Sequence, residues 1–348
     1  MKILFVIPSL KCGGAERVAT TFAKSLSGHE VKFVNIGTPE GELSDWIKPY
    51  FQIISLNCKR SISALLPLQR LIKKEKPDFI FSTHIHVSVI LMLTGKANAR
   101  KLIARIPTMP SNKLYKGLKI KIMESLERKL FRNAHTIIAQ TEAMKKEICR
   151  MLDIDENKVV TIHNPIDTEL IDGQATATNP FDKTKTNYLS VGNISPAKGY
   201  DILIKAFKMV QEKDRNAQLY ILGRTESEYA RQIIALANGN PNIHFEGFCK
   251  NPYQYMKYCS VLVLSSRMEG LPNVVLEAMY LNRPVAATTC VPIIDDLIKD
   301  GVNGYKSQPD NAESLASAMR KATQLQDIRN ENLNETSIIE FKKIFEKK

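Results

Sequence analysis

The chain has 348 residues, 44% of them hydrophobic and 24% charged, with a formal net charge of +13. That length exceeds one ordinary core and suits two domains of roughly 150 residues each, and the balance of apolar and charged residues excludes a disordered or fibrous chain. No run approaches the ~18 consecutive apolar residues of a membrane-spanning helix, and the six cysteines show neither a C-x-x-C pair nor a metal-ligand spacing, as expected of a reducing cytoplasm.

The opening MKILFVIPSL carries a single lysine and no small-residue cleavage site, so it reads as a first β-strand and not as a signal peptide. Apolar runs at 3–7, 31–36, 79–82, 102–106 and 136–139 predict short buried strands, with amphipathic helices between them at 15–26 and 62–74. Such alternation implies a parallel sheet covered on both faces. Residues 165–187 are polar and without apolar periodicity, and they read as a linker. Beyond it the alternation restarts. Strands are predicted at 188–191, 218–222, 243–246, 261–265 and 285–287, and helices at 202–210, 228–237 and 273–281. The pattern predicts an α/β chain of two doubly wound domains, 1–165 and 166–335, facing a central cleft. The amphipathic end of the chain at 336–348 is expected to pack back on the first domain. Ligands of such folds sit at the carboxyl ends of the strands.

Charge is divided unevenly. Residues 1–165 hold 27 Lys and Arg against 14 Asp and Glu, while residues 166–348 hold 22 of each. The basic half therefore points to an anionic partner. A nucleic acid is disfavoured, because the basic stretches lack interleaved aromatics and any helix-turn-helix or finger spacing.

The stretch SSRMEGLPNVVLEAM at 265–279 places Glu269 just ahead of Gly270, Leu271 and Pro272, and Glu277 eight positions later. Proline is tolerated in a first helical turn, so Pro272 predicts a helix from about 272 to 281 with Glu269 in the loop before it. Glu277 then lies roughly 7 Å further along at ~1.5 Å per residue. Amides at a helix start bind anions, and a carboxylate accepts two hydroxyl hydrogen bonds. A diphosphate between two hydroxyl-bearing groups, as in a sugar nucleotide, fits that layout. The alternative is that Glu269 merely complements the helix dipole and Glu277 is a surface residue.

Three further loops follow predicted strands. PSLKCGGAER at 8–17 brings Gly13 and Gly14, and LSVGNISPAKG at 189–199 brings Lys198, poised for phosphate or simply solvated. NIHFEGFCKN at 242–251 could offer backbone groups to a base edge, or be an ordinary strand-end turn.

Taken in order, GGAER, HNPID at 163–167, the VG…KG segment, F-x-G at 245–247, E-G-L-P-x-x-x-x-E at 269–277 and DGVNG at 300–304 resemble the family-4 retaining glycosyltransferases of the GT-B fold. The resemblance spans nearly the whole chain, and the paired glutamates with their G-L-P insert are its most specific part. It is nearest to bacterial enzymes that extend lipid-linked glycans. It implies that Glu277 holds the donor ribose and Glu269 the donor sugar, with Gly270, Leu271, Pro272 and Asn273 giving backbone contacts. Lys198 would neutralise the leaving diphosphate, Gly14 would lie under the donor phosphates, and the base would pack beside Phe248 and Cys249. The family's arginine after VG is replaced here by Asn193, which leaves Arg267 or Arg224 as stand-ins. The resemblance also places a cleft histidine at His84 or His86, with His86 preferred, and puts Arg105 toward the acceptor.

No D-x-D lies in a suitable loop; Asp295 and Asp296 read as a helix-start feature. A lysine and a helix dipole can take a metal's place at a diphosphate, so neither a metal nor a cofactor is expected. The expected activity is transfer of a sugar, with retained configuration, from a nucleotide diphosphate sugar (UDP by default) to a lipid-linked or polysaccharide acceptor. The alternative is a non-catalytic sugar-nucleotide-binding homologue. Residues 96–132 hold eleven Lys and Arg against Glu124 and Glu127, and 113–132 carry a leucine and isoleucine stripe with Lys113, Lys116 and Lys121 off it. That pattern predicts docking on an anionic membrane surface, at the inner face of the cell membrane.

Overall fold

The computed structural model describes residues 1–11, 13–109, 118–176, 178–326, 328 and 334–346. It divides into two compact units, Met1–Ile166 with Leu333–Lys348, and Asp167–Asn332. The chain therefore crosses from the first unit to the second and returns.

In the first unit, β1 (Lys2–Ile7), β2 (Glu30–Asn35), β3 (Gln52–Ser55), β4 (Phe79–Ser82), β5 (Leu102–Arg105), β6 (Thr136–Ala139) and β7 (Val159–Thr161) form one sheet ordered β3-β2-β1-β4-β5-β6-β7. Every pairing is parallel. The central strands β1, β4 and β5 are buried along almost their whole length, as expected of a sheet covered on both faces. On one face, Phe5, Phe22 and Phe81 pack with Phe341 and Phe345 of the helix Asn334–Glu346. The Phe22 and Phe341 rings stack at 4.1 Å. That contact explains why the last helix belongs to the first unit.

The second unit repeats the plan. Its strands β8 (Thr186–Val191), β9 (Ala217–Leu222), β10 (Ile243–Gly247), β11 (Val261–Leu264), β12 (Val285–Thr288) and β13 (Gly304–Ser307) are ordered β10-β9-β8-β11-β12-β13, again all parallel. Both sheets thus change winding direction once, between β1 and β4 in the first and between β8 and β11 in the second. The carboxyl ends of strands at such a switch point leave a crevice for ligands.

The expected linker at 165–187 is not featureless. Asp167 caps a helix, Thr168–Gln174, by accepting from the amide of Leu170 at 3.1 Å, and Ile171 of that helix is fully buried. One apolar side chain and one cap suffice for two turns, too little periodicity to stand out from a polar background.

Candidate active site

The switch point of the second unit is flanked by a turn, Pro196–Lys198, after β8 and by the loop at 265–272 after β11. Gly199 ends the turn in the left-handed region with φ 62°, and a Cβ there would overlap the Ser265 carbonyl oxygen. The two loops therefore touch, and only glycine allows it. Ser265 Oγ donates to the Lys198 carbonyl at 2.8 Å. Lys198 Nζ reaches Glu269 Oε1 at 2.6 Å, and Ser266 Oγ donates to that same oxygen at 2.6 Å. Side-chain exposure is 29% for Lys198 and 11% for Glu269, so the pair is shielded but not sealed from solvent.

The helix after this loop runs Asn273–Tyr280, with Pro272 one residue ahead as its cap and not inside its first turn. Glu277 is 3% exposed, which removes the reading of it as a surface residue. Tyr253 Oη donates to Glu277 Oε1 at 3.4 Å. A carboxylate at this depth needs polar company to be tolerated. Gly270, Leu271 and Pro272 are buried and Asn273 is half-buried beside it in sequence.

The neighbouring strand ends are built close. The Gly192 amide donates to the Leu222 carbonyl at 2.9 Å and the Gly223 amide to the Gly247 carbonyl at 2.9 Å. A Cβ on Gly223 would strike the Gly192 carbonyl oxygen. Tyr200, fully buried, donates to that carbonyl at 2.8 Å, and burial pushes its phenol up. Beyond these ends Asn193 is exposed, Phe248 is 39% exposed, and Cys249 is half-buried with its thiol pushed up by burial. The Arg224 guanidinium lies 4.3 Å over the Phe248 ring.

Arg267 is not available to stand in for the missing arginine. Its guanidinium grips Asp201 bidentately at 2.8 and 2.7 Å, reaches Asp310 at 2.5 Å, and donates to the Pro196 carbonyl at 2.9 Å. Hydrogen bonds from Arg267 hold the Asp201 carboxyl below its ordinary value, and those to Asp201 raise Arg267 further.

At the first unit's switch point, Gly14 opens the helix Gly14–Lys24 after β1, and Glu16 on it is buried. His84 caps the helix Ile85–Leu93 after β4. Its Nε2 lies 3.4 Å from Glu16 Oε1, while its Nδ1 is buried with no partner among the described residues. The His84 and His86 rings stand 5.5 Å apart, and His86, the preferred candidate, is the exposed one of the two. Arg105, expected to face an acceptor, is 2% exposed. Its Nη1 donates to Thr83 Oγ1 at 2.8 Å and its Nη2 to Asn164 Oδ1. Burial pushes Arg105 down to about 9, against the pull of Glu16. Burial also raises the Glu16 carboxyl, with Arg105 opposing, and lowers His84 to about 4, helped by His86 and Arg105.

The structure therefore brings Lys198 and Glu269 together, and His84 with Glu16. Sequence reasoning singled out GGAER for its glycines and missed Glu16, the one acid on that helix's first turn. It also missed Ser266 and Asp201; the acid in the first turn after Lys198 was the available signal. Lys113 and Lys116 of the expected basic face lie outside the described residues, and the side chains of Lys119 and Lys121 are likewise undescribed.

Comparison with known proteins fits this geometry. A model of glycosyltransferase family 4 matches residues 12–170, and a model of the glycosyl transferases group 1 matches residues 174–338. An uncharacterized glycosyltransferase of Methanocaldococcus jannaschii is 30% identical over 75% of this chain and 69% of its own. A Campylobacter jejuni N-acetylgalactosamine-N,N'-diacetylbacillosaminyl-diphospho-undecaprenol 4-alpha-N-acetylgalactosaminyltransferase is 28% identical over 94% of this chain and 90% of its own. Anabaena HepE in complex with UDP-glucose matches the fold with a TM-score of 0.78 at 18% identity, covering 99% of this chain and 98% of that one.

Proposed function

We propose, because this chain belongs to the family 4 glycosyltransferases, that it moves a sugar from a nucleotide diphosphate donor, UDP by default, to a lipid-linked or polysaccharide acceptor with retention of configuration. The observation that carries this reading is the Lys198–Glu269 pair at 2.6 Å across the β8/β11 switch point, four residues before a helix start. A diphosphate takes Lys198, and a sugar hydroxyl takes the place of the lysine on Glu269. Glu277, buried one turn into the helix, holds the ribose diol. Phe248 and Cys249 flank the base, Arg224 approaches it from the next strand, and no metal is needed. In the reaction the bond from the anomeric carbon to the diphosphate oxygen breaks and an acceptor oxygen bonds the same carbon from the same face. The acceptor proton passes to a donor phosphate oxygen. Lys198 and the helix dipole stabilise the charge left on the diphosphate.

The acceptor belongs to the first domain in this reading. The named acceptor of the Campylobacter relative is an undecaprenol diphosphate carrier, and other relatives are named for capsular polysaccharide biosynthesis. No helix among the described residues is long and apolar enough to cross a membrane. A surface that supports docking on anionic lipid is described at 59–74. There Ile62 and Leu66 are 61% and 60% exposed among exposed Lys59, Arg60, Arg70, Lys73 and Lys74, each worth ~1 kcal/mol near an anionic leaflet. In this reading the enzyme works at the inner face of the cell membrane.

Thermal-shift screening against nucleotide sugars tests the donor reading. A ligand at 100 times its Kd adds ~2.7 kcal/mol, and product NMR reads the anomeric configuration. No shift with any nucleotide or nucleotide sugar would overturn it. The second reading, a binding homologue without turnover, is favoured by Asn193 in place of a cation; it predicts the shift without release of free nucleotide. Vesicle sedimentation tests docking. Binding should require anionic lipid and weaken with salt, whereas equal binding to neutral vesicles sinks the idea.

A further inference from the structure

We propose that Arg267 is a positioning residue: it fixes the Pro196–Lys198 turn, and through it the Lys198 ammonium, against the Glu269 loop. The inference rests on the reading of Lys198 as the diphosphate ligand. Arg267 lies two residues before Glu269 and touches the lysine turn from three directions. Its guanidinium donates to the Pro196 carbonyl at 2.9 Å. Its backbone amide donates to the Ala197 carbonyl at 2.8 Å, and the Met268 amide reaches that same oxygen at 3.3 Å. Its two terminal nitrogens grip Asp201, three residues past Lys198, at 2.8 and 2.7 Å. Pro196, Ala197 and Asp201 thus bracket Lys198 on both sides in sequence, and all three are tied to one residue of the opposite loop.

The need for such a clamp follows from the chain. The turn is only three residues long and ends in a left-handed glycine, so it has little structure of its own. A lysine ammonium rides on a flexible four-carbon stem, and holding it costs side-chain entropy. A rigid backbone lowers that cost, because fewer torsions remain to be fixed. Arginine suits the clamp because its planar fork meets a carboxylate with two bonds at once. Lysine cannot reproduce that fork. Asp310, 60% exposed on its side chain, adds a further bond to the network, and among the described residues no hydrogen bond runs from it to the turn.

Kinetics in two backgrounds test this. In the otherwise native enzyme, Arg267→Lys and Asp201→Asn should each lower kcat/KM for the donor roughly tenfold or more, as small misplacements do, and Asp310→Asn should lower it far less. In a Lys198→Ala background, Arg267→Lys should change kcat/KM less than about twofold, because the group it positions is gone. A melting curve of each variant reports folding separately, and Asp201→Asn breaks the same clamp should Arg267→Lys fold poorly. An equal fall in both backgrounds overturns the inference, since Arg267 would then act independently of Lys198. So does unchanged kcat/KM in both Arg267→Lys and Asp201→Asn. Full activity of Lys198→Ala alone overturns the donor reading and this inference with it.

Discussion

In the first domain the side chain that reaches from beyond β1 toward β4 is Glu16, and it meets His84; in the second, the side chain that reaches from beyond β8 toward β11 is Lys198, and it meets Glu269. Strand order is the same at the two places, so the fold delivers two loops to one crevice in both domains. The environments differ. Glu16 is buried with Arg105 behind it, and burial shifts all three groups toward their neutral forms. The second pair sits at the edge of solvent, and the Arg267 clamp supports it from outside. A charged pair at 2.6 Å that solvent still reaches can trade its partner for a ligand of like charge. Side-chain exposure is similar in the two pairs, 22% for His84 and 9% for Glu16 against 29% for Lys198 and 11% for Glu269, so the first set differs by its shift toward neutral forms, which leaves it less charge to offer a ligand. On the proposed reading, the second site exchanges partners on donor binding and the first holds a shape.

The largest effect expected from this contrast is on turnover. Lys198→Ala should lower kcat by about 10²–10³-fold, the range for loss of one preorganised group opposite developing charge, with little change in melting temperature. Steady-state release of free nucleotide checks it. A large loss of stability with unchanged kcat would make the second pair as structural as the first.

Next in size is Glu277→Gln. It keeps the shape but removes a charged acceptor worth ~1.5–3 kcal/mol per hydrogen bond. Donor affinity should fall about tenfold or more by calorimetry, and Tm should hold or rise, because a buried charge has been removed. Unchanged affinity would remove Glu277 from the ribose site.

The first domain should show its character in pH. A histidine held at about 4 when folded takes its proton later than the unfolded chain does, near 6.5. Stability is therefore complete above pH 6.5 and falls as pH drops toward 4, by about 2 kcal/mol at pH 5 from this group alone. Glu16 acts the other way, since its raised carboxyl binds a proton in the folded chain first, and so it offsets part of the loss. Comparison with His84→Gln separates the two contributions. Melting temperatures between pH 7.5 and 5 should fall more steeply in the native chain than in His84→Gln. Equal slopes would mean that His84 is not held neutral.

Much of the fold was legible because buried parallel strands are written as unbroken apolar runs. The strands that sequence reasoning missed are β3, β7 and β13, and each is an edge strand. Their sequences QIIS, VVT and GYKS are short and half-buried, because an edge has less to bury. Within the site, Glu269 and Glu277 stood out through the proline between them. The Arg267 clamp did not, because its partners Asp201 and Asp310 are 66 and 43 positions away. A residue's commitment to such distant groups leaves no local pattern, and this is why the sequence presents Arg267 as a spare cation.

The smallest effect concerns that missing cation. Asn193 is exposed, one residue past Gly192, whose carbonyl is already held by Tyr200 and whose neighbour Gly223 leaves no room for a side chain. The backbone at 193 is therefore fixed and a longer side chain can be carried outward without strain. Asn193→Arg should add one screened, partly solvated charge near the diphosphate. Such exposed pairs are worth ~0.2–1 kcal/mol, so donor affinity should rise only a few-fold and lose that gain as salt is raised. The gain should vanish in Lys198→Ala if the arginine needs a phosphate already seated by the lysine. A few-fold gain that survives high salt would mean a desolvated contact, and the second site would then be more enclosed than its exposure indicates. No change at any salt would place the phosphates away from the β8 turn and break the contrast between the two domains at its more reactive end.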